Sequence, residues 1–101
     1  MIIMSNDLIS VLALIGRHKK QIWQSYGVRE MGVFGSYARQ EQSGQSDLDI
    51  LVDFERSIDL FDFVELKDFL SEQLNVKVDL VMKNSLKPAL KEVILREVRY
   101  I

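Results

Sequence analysis

Residues 46–54 read "SDLDILVDF", and the alternation within them decides the fold. Successive side chains of a β-strand point to opposite sides, so Leu48, Ile50, Val52 and Phe54 make one apolar face while Asp47 and Asp49 stand together on the other. A strand is predicted over 47–54. Aspartate is disfavoured in strands, and these two, about 6.5–7 Å apart along one face, repel each other unless a cation lies between them. Asp53 shares their parity but sits roughly 13 Å beyond Asp49, outside the reach of such a pair.

Downstream, "VKVDLVM" at 76–82 repeats the pattern. Val76, Val78, Leu80 and Met82 alternate as an apolar face, and Asp79 interrupts from the opposite side. If this strand lies beside the first with Asp79 level with Asp49, three carboxylates surround one point. That is the oxygen-rich setting Mg²⁺ takes when substrate phosphates complete its shell. The plainer alternative is that the aspartates decorate the wet face of an antiparallel strand.

Upstream, Gly35-Ser36 closes a strand predicted over 29–34 and opens a short helix predicted over 36–40, followed by a polar loop at 41–46. At such a junction backbone N–H groups point outward and the helix dipole favours anions. Glycine lets a phosphate approach the backbone, Ser36 offers a hydroxyl, and Arg39 lies one turn later. Read structurally instead, Gly35 makes a tight turn and Ser36 caps a helix. Taken with the carboxylates, the stretch describes a phosphoryl- or nucleotidyl-transfer site. Gly35, Ser36 and Arg39 would hold the phosphates of a triphosphate, Asp47 and Asp49 the metal, and Asp79 would share a metal and take the proton of an attacking hydroxyl.

The remaining elements are helical. Ser5 or Asn6 is a candidate cap for a first helix carrying Leu8, Val11, Leu12, Ile15, Ile22 and Tyr26 inward and ending near Gly27, with Gly16 weakening its continuity. Ser57 or Asp59 starts a helix through Leu74 with Leu60, Phe63, Val64, Leu66, Leu70 and Leu74 on its inner face. Pro88 opens the last helix, with Leu90, Val93, Ile94, Val98 and Ile101 turned inward. The expected fold is α/β (α+β), a small mixed sheet of about three strands with helices packed mainly on one face.

Composition bounds the function. The chain has 101 residues, 48% apolar and 28% charged, enough for one packed domain over 1–101. It has no cysteine, which excludes disulfides, thiolate metal sites and a cysteine nucleophile. A net charge of −2 and a pI near 5.3 argue against direct nucleic-acid binding. No export signal or membrane span is read, and a cytoplasmic location is expected.

The motif of Gly-Ser, ten residues and Asp-x-Asp, with a later "VDLV", resembles the minimal nucleotidyltransferases of the DNA polymerase β superfamily. The likeness extends through "VFGSYAR", "LFDFVELKDFL" and "LKPALKEVILREVRYI", the last similar to the end of the MNT-type proteins that pair with HEPN ribonuclease toxins. The resemblance implies a polymerase-β-like fold and an Mg²⁺-dependent enzyme, with two ions, that moves AMP from ATP to a tyrosine of a HEPN toxin and so acts as its antitoxin in a hetero-oligomer. It implies phosphate binding at Gly35 and Ser36, metal binding at Asp47 and Asp49, and Asp79 as third carboxylate. Gln40 departs from the pattern, since many relatives have glycine after Ala-Arg. Two alternatives stay open: an antitoxin of this fold that neutralises by binding alone, and a nucleotidyltransferase for a small molecule or RNA end.

Among other residues, His18 is expected to pack beside the first helix's apolar stripe, and Trp23 and Tyr26 to serve the core or an interface. Lys77 and Lys83 flank the third strand within reach of a phosphate. Ile9, Leu14, Phe61 and Phe69 lie off the main apolar faces and are candidates for a partner surface.

Overall fold

The computed structural model describes residues 7–101, so the proposed caps Ser5 and Asn6 lie outside the described residues. Within them Asp7 caps α1 (Leu8–Arg17), its carboxylate accepting from the Ser10 N–H at 2.8 Å. The expected single N-terminal helix is two: α1 ends at His18, and α2 runs from Lys19 to Tyr26. The break falls two residues after Gly16. As expected, Leu8, Val11, Ile15 and Ile22 are buried, and α2 stops at Gly27, whose φ of +67° suits glycine.

Strand β1 (Val28–Phe34) pairs antiparallel with β2 (Leu48–Phe54). From β2 the chain crosses through α3 (Leu60–Leu74) to β3 (Val78–Met82), which lies parallel to β2. Asp59 is the cap of α3, accepting from the Asp62 N–H at 2.8 Å. A helix α4 (Pro88–Glu97) follows, and then a two-residue strand β4 (Arg99–Tyr100) that pairs with Gly32 and Val33. Among the described residues the sheet therefore has four strands, in the order β3-β2-β1-β4, rather than about three. The added strand was hidden by its length, since two residues carry no readable alternation.

The two faces of the sheet are covered unequally. Leu48, Ile50 and Val52 join Met31, Val33, Val78 and Leu80 under α1, α2 and α3 in the main core. On the other face Phe34 and Leu51 meet Ile94 of α4, with Val81 and Val98 against them. Helices thus pack mainly on one face, and α4 covers part of the face that carries the aspartates.

Several inward assignments are corrected. Leu60 (72% exposed) and Val64 lie at the surface, as do Leu90 and Val93 of α4, because those helices bury only a narrow stripe. Only Leu66, Leu70 and Leu74 of α3 and Ile94 of α4 are buried. Conversely Leu14 and Phe69, proposed as surface residues, pack against the core, while Ile9 and Phe61 are exposed. His18 sits edge-on to Phe69, ring centroids 5.4 Å apart.

Candidate active site

The aspartates converge because of strand register. In the parallel pair Leu48 stands opposite Val78 and Asp49 opposite Asp79, which places the two aspartate backbones about 4.8 Å apart. Asp47 immediately precedes β2, where the Leu48 N–H donates to the Lys77 carbonyl at 2.8 Å. Its carboxylate lies 3.9 Å from the Lys77 ammonium, so Lys77 faces the cluster's rim. Lys83 instead donates to Glu30 at 2.8 Å, away from these residues. Asp53 is bound to Arg29 at 3.0 Å and stays outside the cluster, as its distance along the strand required.

Across the sheet, Phe34 is the register partner of Asp49, and Gly35 follows it directly. Gly35 has φ +74°, and a Cβ there would collide with the Asp49 carboxylate. Both facts require glycine. The helix expected over 36–40 is a series of turns instead: Arg39 N–H donates to the Gly35 carbonyl, Gln40 N–H to Tyr37 and Glu41 N–H to Ser36. Tyr37 and Ala38 are buried in the main core and anchor the turn from below, leaving Ser36 half-buried at its crest. Helical continuation fails because Gln40 takes φ +59°, the left-handed region that glycine fills without strain.

A residue that spacing did not reveal completes the arrangement. Glu97, the last residue of α4, accepts the Gly35 N–H at 2.6 Å and two contacts from Arg39 Nη1 at 3.1 and 3.3 Å. Arg39 also donates to Glu41 at 3.0 Å. One local signal did exist in the sequence. A glutamate in the last turn of a helix opposes the helix dipole, so it calls for a compensating donor elsewhere.

The electrostatics are those of crowded acids. Burial, then the charges of Asp79 and Asp47, raise the Asp49 carboxyl from 3.8 to about 6; Glu97 adds to the rise and Arg39 opposes it. A hard cation fits this set of oxygen donors and would relieve that repulsion. Among the described residues no three His, Cys, Asp or Glu side chains stand so placed that they could hold a metal ion by themselves. The three aspartates form an open shelf, and substrate oxygens must complete the shell of any ion held there.

Beyond the aspartates on neighbouring strands and the glycine-serine turn beside them, most of the chain matches a known family: it belongs to the nucleotidyltransferases, whose domain matches residues 15–101. Within it the kinship is close to the minimal members. The chain is 48% identical over 94 residues to the protein adenylyltransferase MntA of Thermococcus cleftensis, covering 93% of this chain and 95% of that one. A solved structure provisionally designated a minimal nucleotidyltransferase superposes with a TM-score of 0.75 at 39% identity, covering 92% and 94% of the two chains. The fold is also that of the MNT antitoxin solved with the tri-AMPylated Shewanella oneidensis HEPN toxin, at a TM-score of 0.66 and 22% identity over 89% of this chain and 70% of that one. Among the described residues no helix is long and apolar enough to cross a membrane.

Proposed function

We propose that this chain transfers AMP from ATP to a tyrosine hydroxyl of a HEPN-type ribonuclease toxin and thereby acts as its antitoxin. The observation that carries the reading is the register of Asp79 opposite Asp49, with Asp47 two residues before Asp49 and the Gly35 turn alongside. Kinship with MntA and a fold shared with an MNT antitoxin support the choice of acceptor. A further neighbour in fold is a toxin-antitoxin pair solved with AMP-PNP, at a TM-score of 0.69 and 24% identity.

In this mechanism the Gly35 N–H, the Ser36 hydroxyl and Arg39 hold and orient the triphosphate. Asp47, Asp49 and Asp79 would hold Mg²⁺, which when bound neutralises phosphate charge and lowers the pKa of a bound hydroxyl. Asp79 accepts the proton of the tyrosine hydroxyl as its oxygen bonds to the α-phosphorus. The bond from that phosphorus to the β-bridging oxygen breaks, and pyrophosphate leaves. Positioning and charge supply most of the acceleration in such displacements.

The test is to incubate the protein, α-labelled ATP, Mg²⁺ and a HEPN ribonuclease partner, then to map the label by mass spectrometry. Label on a tyrosine is expected, with Asp47→Asn and Asp49→Asn each lowering the rate about 100- to 1,000-fold, the scale of several kcal/mol of charge stabilisation. Protection against the toxin by those variants, with no label in the wild type, would instead make the chain an antitoxin that acts by binding alone.

A further inference from the structure

Glu97 occupies the donors that a phosphate would need. Its carboxylate takes the Gly35 N–H at 2.6 Å and Arg39 at 3.1 Å, so one internal anion already satisfies the backbone donor and the guanidinium assigned to the triphosphate. We propose that Glu97 is a built-in competitor for the phosphate cradle, displaced when a nucleoside triphosphate binds, and that it thereby sets the protein's affinity for polyphosphate. This proposal rests on the reading of Gly35, Ser36 and Arg39 as the phosphate-binding end of the site.

Three features of the molecule support exchange over a fixed strut. Carboxylate and phosphate oxygens seek the same charge-assisted hydrogen bonds, and phosphate brings more acceptors to them. Glu97 sits at the negative end of the α4 dipole and beside Asp49, both unfavourable to its charge. Its side chain is 20% exposed, so it already borders the solvent from which a phosphate would arrive. The backbone need not move. It stays fixed by the Val98 N–H on the Ile94 carbonyl at 2.9 Å, the Ile101 N–H on the Met31 carbonyl at 2.9 Å, and the pairing of β4 with β1. Once displaced, Glu97 leaves both the Gly35 N–H and the Arg39 guanidinium facing the incoming phosphates.

A strut and a competitor differ in sign. If Glu97 serves only to hold the turn, neutralising it loosens Gly35 and weakens binding; if it competes, neutralising it strengthens binding. Calorimetric titration with inorganic tripolyphosphate and with ATP, each with Mg²⁺, separates the two. Glu97→Gln is expected to bind tripolyphosphate about tenfold more tightly than the wild type, the scale of one charge-assisted hydrogen bond no longer in competition. Glu97→Asp keeps the charge but shortens the reach to Gly35, and is expected to tighten binding as well, which also covers the case in which Glu97→Gln fails to fold. Wild-type binding with equal or weaker binding by the variants overturns the proposal and leaves the cradle reading intact. No binding by any of the three proteins overturns both.

Discussion

Asp49 is held where its charge is unwelcome. Its carboxyl is raised from 3.8 to about 6, by burial first and then by Asp79 and Asp47. Where the folded-state value lies above the unfolded one, the charged form costs stability. The cost is absent below about pH 4, where both states are protonated, and grows as pH rises through about 6. Asp49→Asn should therefore stabilise the ligand-free protein at about pH 8 and leave it unchanged near pH 4. Two pH units correspond to about 3 kcal/mol, and solvent screening of a half-buried group reduces this to about 1 kcal/mol, or about 5 °C in melting temperature. Thermal melts at the two pH values check this; an equal shift at both would trace it to packing instead of charge. With Mg²⁺ and ATP the ranking should reverse, because ligand binding stabilises only the protein that can bind. The like parity of Asp47 and Asp49 was legible from their spacing. Glu97 was not, since 62 positions separate it from the Gly35 amide it meets.

The turn at 35–40 shows how one element can keep its motif and lose its predicted shape. Gly-Ser followed by Tyr-Ala-Arg-Gln reads as a short helix by propensity, yet burial of Tyr37 and Ala38 pins the chain to the core. Gln40 is then forced to φ +59° to release it toward the polar loop. Gln40→Gly should stabilise the protein by about 0.5–1 kcal/mol, because the strain removed exceeds the chain entropy that glycine adds to the unfolded state. Urea unfolding measures it, and a loss of stability would show that the left-handed conformation is not strained. The same limit explains the misassigned surfaces of α3 and α4. Helical spacing located Leu66, Leu70, Leu74 and Ile94 as inward. It could not tell that Leu60, Val64, Leu90 and Val93 overrun the sheet they were meant to cover.

Over the whole molecule, two cores of unequal size share one sheet. The main one gathers α1, α2 and α3 over β1, β2 and β3, whereas α4 is held on the other face chiefly by Ile94 between Phe34 and Leu51. Such unequal packing predicts unequal local stability. Hydrogen exchange should be slowest at Ile50, Leu51 and Val52, and faster along α4. Ile94→Ala, expected to cost about 2–4 kcal/mol, should speed exchange in α4 and at the Gly35 amide, which Glu97 protects, while leaving β2 slow relative to them. Uniform acceleration across both faces would show that the two cores unfold as one. Because α4 carries Glu97, the stability of this minor core is also what holds that carboxylate against the Gly35 turn and Arg39.

The sequence by itself indicated strands over 29–34, 47–54 and 76–82, each within two residues of the observed start, the apolar parity of the second and third, and the glycine-serine and aspartate positions, because period-two alternation is a local property of the backbone. It also carried the family likeness in the spacing of those residues. Only the tertiary structure decided that β2 and β3 run parallel with Asp49 level with Asp79, that a two-residue β4 closes the sheet edge, and that Glu97 reaches Gly35. Each of these is a meeting of segments far apart in the chain. Local propensity cannot specify them, because register and helix docking are set by which buried faces fit together once the α3 crossover and the α4 return have brought them into contact.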